Sequence, residues 1–441
     1  MRLFLKQQKF LLISILLLFS GLSIQAQDSD EAESTDYVKF GGALRFNAAH
    51  ENYEVEPTAT STYATFDTWR LNVSASYSDV ILDFEYRFYP TFNTHFIHHG
   101  YIGYNFSESF NMQLGVTQVP FGNLTYNSHS WWFLIPYYVG LEDDYDMGLK
   151  FTYDVSDKLN IMAAYFLQQE PAGPAYGNAS FGGPAAGTYS YNVIPDGGYD
   201  EDGNPEDYSL SNTSSSIQER NQFNLRLDYE MLEGTHIGVS GQMQGMYNSV
   251  LEETEYGHAF AAHLNSDFNN FNVKAQFTNY NFAAKDDNGT TLNRVQMGAY
   301  GDPYYGDGVA AKANIITAGV AYSIGVDWGP ISNVQPYIDY SLMTKDGSID
   351  VDGQAFDFED SHMLVPGFLI TAGNIFTYVD FALGKNHPWL TNDFGTGLGV
   401  GHVYSDDNDD LYYDETKAEQ PVPTSEQDWN LRFNINIGYY F

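Results

Sequence analysis

Nine cations fall on one parity within alternating segments: Lys39, Arg45, Arg70, Arg87, Lys150, Arg220, Arg226, Lys274 and Arg432. All but Arg220 sit between apolar residues, and if those segments are strands all nine point to one side of a sheet. Lysines and arginines lining a pore replace part of an anion's hydration and lower its entry barrier. The same faces also carry Asp83, Glu85, Asp154, Asp228, Asp339 and Asp380. Pairing with these acids across neighbouring strands is the other use of such cations, and it would stiffen the wall. The two uses can coexist. A second chemical feature is the run Trp131-Trp132-Phe133-Leu134-Ile135, which lies inside a long polar connection and is followed by Glu142, Asp143, Asp144 and Asp146. Left in water, this apolar run would be costly. Packed against the inside of a wall it is explained, with the acids behind it at a constriction or its rim. Contact with lipid or another subunit is the alternative.

Catalytic motifs are missing. The chain has no phosphate-binding glycine loop, no His-Glu-x-x-His and no nucleophile elbow, so it is read as not an enzyme. A barrel hydrolase with Ser, His and Asp scattered over strands and loops is the minor alternative. No cofactor is expected. Asp200-Glu201-Asp202-Gly203-Asn204 spaces oxygen ligands around a glycine in a way that would suit Ca2+, but it lacks the downstream bidentate Glu, and a solvated acidic loop is preferred. His95, His98 and His99 are read as rim residues, since alternation puts His98 and His99 on opposite faces, and not as a metal site.

The elements that carry these residues alternate with period two. Trp429, Leu431, Phe433, Ile435, Ile437, Tyr439 and Phe441 share one face of the last segment, and Asn430, Arg432, Asn434 and Asn436 share the other. Sixteen such strands are expected at 37–48, 64–77, 79–90, 97–106, 110–119, 146–155, 158–168, 219–230, 234–248, 254–268, 270–282, 312–325, 333–344, 361–372, 374–384 and 428–441, with a bulge near Asn314. Tight turns such as Ser78, Asn269 and Gly373 alternate with long connections at 49–63, 120–145, 169–218, 283–311, 345–360 and 385–427. Short turns on one side and long loops on the other are the habit of outer-membrane barrels, and an even count leaves both ends on the short-turn side. Aromatic residues near strand ends (Tyr37, Trp69, Tyr77, Phe88, Tyr104, Phe106, Tyr153, Tyr439) suit interfacial girdles. The expected fold is therefore all-β, a transmembrane antiparallel up-and-down barrel of about sixteen strands.

Composition bounds the rest. Tyr (35) and Phe (31) are abundant, charged residues make up only 17%, and there is no cysteine, so disulfides do not hold the fold. Arg2, Lys6 and Lys9, an apolar stretch from Phe10 to Phe19, and a small residue at Ala26 read as a cleavable signal peptide at 1–26, ahead of a barrel at 27–441. Removing it moves the formal charge from −38 to −41 (three cations lost, no acids) and leaves sixteen Lys and Arg. Such an acidic chain is a poor nucleic-acid binder. Nine of the sixteen cations read inward, while the acidic excess lies in loops such as 196–207 and 406–414. The wall is thus slightly basic behind an acidic exterior.

The stretch Val119-Pro120-Phe121-Gly122, Ser130 through Tyr138, and Gly140-Leu141-Glu142-Asp143-Asp144-Tyr145-Asp146 before Gly148-Leu149-Lys150 resembles Bacteroidetes porins of the phosphate-selective porin O and P family. The resemblance implies a sixteen-stranded, trimeric, passive channel in the outer membrane of a Gram-negative bacterium, with 120–145 folded into the lumen. It implies small hydrophilic or anionic solutes, and an assembly machinery that reads a last strand ending on Phe441. The family's lysine-rich channel wall has no counterpart here, since no dense lysine cluster occurs in the loops. A ligand-binding or structural barrel working through acidic loops is the alternative. Its signature would be a lumen filled by aromatic side chains, and Tyr89, Phe166, Tyr280, Tyr337 and Phe376 do read inward.

Overall fold

The computed structural model describes residues 36–52, 62–92, 94–124, 126–171, 188–194, 216–300, 308–351, 354–387, 390 and 429–441. It also describes short strands at 176–177, 184–185, 198–199, 205–206, 403–405 and 411–413. The signal peptide expected at 1–26 and the Asp200–Asn204 segment read for Ca2+ lie outside them. Tyr37–Phe441 is one compact unit.

Sixteen antiparallel strands form the wall: β1 Tyr37–Glu51, β2 Thr62–Tyr77, β3 Val80–Tyr89, β4 Thr94–Ser107, β5 Phe110–Gln118, β6 Tyr145–Ser156, β7 Leu159–Gln169, β8 Ile217–Leu232, β9 Thr235–Asn248, β10 Glu253–Phe268, β11 Phe271–Asn281, β12 Lys312–Tyr322, β13 Ile331–Asp346, β14 Ser361–Ala372, β15 Ile375–Lys385 and β16 Asn430–Tyr440. Each pairs with its sequence neighbour, and β1 pairs with β16 from Ala43↔Tyr440 to Glu51↔Arg432, which closes the barrel. Closure satisfies every ladder without an edge, the condition for crossing lipid with strands.

The outer face is apolar. Phe40, Leu44, Ile102, Leu114, Leu225, Val239, Phe260, Phe277, Ile316 and Ile437 are all exposed there, and the opposite parity is polar and buried. Strands of 9 to 16 residues are long enough to span a bilayer. Aromatic rings crowd the short-turn end, where Phe106 stacks on Phe110 at 5.1 Å and Phe271 meets Tyr322 at 4.6 Å. This is the girdle the sequence suggests.

Three local expectations change. β12 runs in unbroken register through Asn314, with no bulge there. The break is at Ser323: Ile324–Trp328 continues along β13 in the same register, which shifts only between Gly325 and Trp328. Bulges occur elsewhere. Glu85 pairs with His99 and Tyr86 with Ile97, so His98 is an extra residue and both histidines turn inward. They are not rim residues: His98 is buried and its Nδ1 lies 2.8 Å from that of His99. In β8 a register shift between Arg220 and Phe223, with Asn221 at φ 54°, reverses the parity above it. Glu219 points inward and is buried, while Arg220 is exposed, 5.2 Å over the Tyr247 ring on the outer face. Both errors come from counting by two through an inserted residue.

Among the eight connections at the long end, 90–93 and 249–252 are short, so the alternation is looser than the sequence suggests. Three others turn inward. The third (119–144) carries one helical turn, Ile135–Tyr138. Segments of the fourth and sixth form a buried three-stranded sheet, Asn192–Ile194, Arg294–Gly298 and Val309–Ala310, with Asn192 paired to Gly298. An apolar core fills this end of the interior, including Phe96, Leu134, Ile135, Phe166, Tyr280 and Met297. Tyr89, Phe166, Tyr280 and Tyr337 are buried, and Phe376 packs edge-on to Tyr440.

Candidate functional site

The connection 119–144, here the inner loop, leaves β5 and runs along the far inner wall. It is held by main-chain hydrogen bonds to wall side chains. Gly122 N donates to Ser240 Oγ at 2.9 Å, and Asn123 N donates to Gln276 Oε1 at 2.8 Å. Asp339 on β13 accepts from His129 N (2.7 Å) and Ser130 N (2.9 Å), and Asp380 on β15 accepts from Trp131 N (3.1 Å). Ile135 N donates to Ser341 Oγ at 3.2 Å. Two glycines make this approach possible. Gly122 has φ +59°, and a Cβ there would meet Gln276 at 2.3 Å; a Cβ at Gly319 would meet Asp339 Oδ1 at 2.2 Å. A segment without a sheet partner needs such acceptors, because buried N–H groups left unpaired are costly.

Between the inner loop and the wall of β1, β2, β3 and β16 lies a cavity of about 960 Å³. Arg45, Arg70, Arg87 and Arg432 line it from the wall, and Tyr126, Ser130, Trp131, Trp132 and Phe133 from the loop. Every one of these guanidinium groups lies over a ring. Arg45 is 4.3 Å from the Trp131 centroid, Arg432 is 4.4 Å from Trp132, Arg87 is 4.5 Å from Tyr189 and Arg70 is 5.2 Å from Tyr440. Stacking of this kind uses the ring's negative face.

Every one is also ion-paired. Arg45 meets Asp67 at 2.8 Å, Arg432 meets Glu51 at 3.1 Å, Arg70 meets Glu85 at 3.6 Å, and Arg87 meets Glu85 more closely. Among the described residues, four cations against Asp67, Glu51 and Glu85 leave this wall with a net +1. Lys274 and Asp267, which also line the cavity, cancel.

The other cations read from the sequence do different things. Lys150 Nζ donates to Gln118 O (2.9 Å), Arg226 Nε to Gly122 O (2.8 Å) and Lys274 Nζ to Ser128 O (3.1 Å). These three grip the carbonyls of the inner loop and its stem. Arg226 is further fixed by Asp228 at 2.9 Å and His263 at 3.0 Å. Lys39 is exposed near the start of β1, 4.5 Å over the Tyr37 ring. Period-two counting places cations on a face but cannot divide those that hold the loop from those that face the cavity.

Glu142, Asp143, Asp144 and Asp146 do not face the cavity. All four are buried behind the inner loop, and none lines the open space. Glu142 accepts from both the main chain and the side chain of Asn127. Asp143 accepts from Tyr189 Oη, and Asp146 from Gln222 Nε2 at 3.1 Å. Glu170 joins them through Ser190 N at 2.8 Å and Asn192 Nδ2 at 3.0 Å, and Glu219 accepts from Val193 N at 2.6 Å. Burial pushes the carboxyl of Glu142 up to about 8, Asp143 to about 6 and Glu170 to about 7. Asp144 rises well above the usual range, through burial and then the nearby Glu170 and Glu219. Burial thus favours the protonated form, most strongly at Glu142 and Asp144.

The sequence reading missed Asp67, which β1–β2 pairing brings to Arg45 through a bulge at Arg45/Phe46. It also missed Tyr189 and Tyr300, which reach the cavity from the fourth and sixth connections. No local signal marks them, because their contacts are with residues distant in sequence, Asp143 and Arg87 for Tyr189 and Tyr89 and Tyr137 for Tyr300. No group of three or more His, Cys, Asp or Glu among the described residues is arranged to hold a metal ion.

No protein-family model matches the sequence, and no curated protein is significantly similar to it. Solved structures do match in fold. The outer membrane channel DcaP of Acinetobacter baumannii aligns with TM-score 0.52 at 11% identity, over 94% of this chain and all of that one. An anion-selective porin from Comamonas acidovorans aligns with TM-score 0.51 at 11% identity, over 92% and 100%. Salmonella typhi OmpF, in complex with daunomycin, aligns with TM-score 0.50 at 12% identity, over 93% and 99%. The barrel is porin-like in fold.

Proposed function

We propose that the protein is a channel of a Gram-negative outer membrane that passes small hydrophilic solutes by passive diffusion and favours anions. The observation that carries this reading is the seating of the inner loop. Bound to Asp339 and Asp380 on the far wall, it leaves open the side lined by Arg45, Arg70, Arg87 and Arg432. A net positive wall in a narrow space of low dielectric attracts anions more strongly than the same charge would in water. Among the described residues Asp67 and Asp267 are the only acids that line the cavity, and Glu142, Asp143, Asp144 and Asp146 are buried behind the loop. The apolar outer belt supports a membrane setting, and the fold shared with an anion-selective porin agrees with it. We read the chain as carrying out no reaction. Kinship with the phosphate-selective porin O and P family, a Bacteroidetes source, a trimeric assembly and recognition of the Phe441 end by an assembly machinery belong to the same proposal. Phosphate enters it as one small anion among several.

A second reading has its own observation: the 192–194, 294–298 and 309–310 sheet and its apolar core occupy the long-connection end of the interior. On that reading the barrel binds a ligand and does not conduct. Planar-bilayer recording of purified protein separates the two. Ion current with an anion-directed reversal potential in a salt gradient supports the channel, and no current at any voltage overturns it.

A further inference from the structure

The lining of the cavity is more particular than a small-anion channel requires. Thirteen of its thirty-one described lining residues are aromatic, ten of them tyrosines, and among these described residues only Ala299 and Leu369 are aliphatic. Inorganic anions need cations and water, not rings. An aryl or hydrocarbon solute would be met equally well by Leu, Ile, Val and Met. The chain places those freely on its lipid face and keeps them from this wall. Amides and hydroxyls fill the remaining places, among them Asn47, Thr65, Asn265, Asn272 and Gln335. Aromatic faces set among hydrogen-bonding groups suit a sugar. Its C–H face lies on the negative π face, and its hydroxyls reach the amides at the ring edge. The four arginines add a further requirement. A guanidinium stacked on a ring is held in one plane, a preorganised fork for a carboxylate or sulfate.

We propose that this cavity is a binding site for anionic carbohydrate. The ring faces of a short acidic sugar chain lie on Trp131, Trp132 and Tyr300. Its acid groups meet Arg45, Arg70, Arg87 and Arg432. This rests on the channel reading above and names the solute class.

The test is current block in a planar bilayer, with trigalacturonate as probe and maltotriose, inorganic phosphate and benzoate as comparators. Trigalacturonate is expected to half-block at a concentration at least tenfold below each of the other three. Replacing both tryptophans (Trp131→Ala with Trp132→Ala) weakens that block about tenfold, and Trp131→Phe with Trp132→Phe restores most of it, which separates a ring contact from a misplaced loop. Equal block by maltotriose overturns the acid-group contact, equal block by phosphate overturns the ring contact, and strongest block by benzoate overturns the sugar. If the protein carries no current, the channel reading fails by itself. Tryptophan fluorescence of detergent-solubilised protein then decides the site: quenching by trigalacturonate at least tenfold tighter than by maltotriose supports it, and equal or no quenching overturns it.

Discussion

Replacing Asp339 with Ala removes the strongest fastening of the inner loop. Its carboxylate accepts two main-chain N–H groups, from His129 and Ser130, and lies 2.7 Å from His129 Nδ1. Hydrogen bonds to a charged acceptor contribute about 1.5–3 kcal/mol each, so the two main-chain bonds together hold the loop by roughly 3–6 kcal/mol. Asp380 retains Trp131 N, and Lys274 retains Ser128 O, so the loop is loosened and not freed. Losing even 3 kcal/mol raises the population of a detached loop about a hundredfold. The barrel itself should stay folded and closed, because its ladder does not pass through Asp339's side chain. Single-channel recording should show larger mean conductance and stronger open-state noise. Limited proteolysis should cut within 124–133, where wild type is protected. Asp339→Asn keeps one acceptor and should fall between. Unchanged conductance, noise and cleavage in Asp339→Ala would refute the idea that this carboxylate holds the passage in shape.

Arg45→Ser with Arg432→Ser removes two positive charges from a wall of net +1, and the reversal potential in a salt gradient should move toward cations; no movement makes those arginines purely structural. Glu142 and Glu170 carry carboxyls raised to about 8 and about 7, so the packing they support is fully stable below about pH 4.5 and weakens as pH rises through 7 to 8. Current noise and loop proteolysis should therefore grow between pH 6 and 9, and Glu142→Gln with Glu170→Gln should flatten that rise. Gly319→Ala drives a methyl into Asp339 Oδ1 and should copy the Asp339→Ala channel phenotype in weaker form, read by the same conductance and noise. Since the chain has no cysteine, Val193→Cys with Met297→Cys tests the buried loop sheet directly: these partners should cross-link on oxidation with little change in conductance if the sheet is a fixed part of the mouth.

The amino-acid sequence by itself determined the barrel. Side chains of a strand alternate with period two, and lipid on one side with water on the other writes that alternation into residues such as Phe433, Ile435 and Ile437 against Arg432, Asn434 and Asn436. Strand number, closure and the outer belt follow from it. The tertiary structure decided what the inward residues do. Three bulges, at Arg45/Phe46, Glu85/Tyr86 and Arg220/Phe223, shifted the parity that counting assumes, and they brought Asp67 to Arg45, His98 to His99 and Arg220 to the outer face. The split between loop-holding cations and cavity arginines depends on where the inner loop lies. That course is set by acceptors on β9, β11, β13 and β15, far away in sequence. The run of acids at 142–146 looked like a charged rim for the same reason. Only packing against Tyr189, Gln222 and Asn127 shows that burial, and not solvent, surrounds it. An alternating pattern records which medium each face meets. It carries no information about which distant group stands opposite across the lumen.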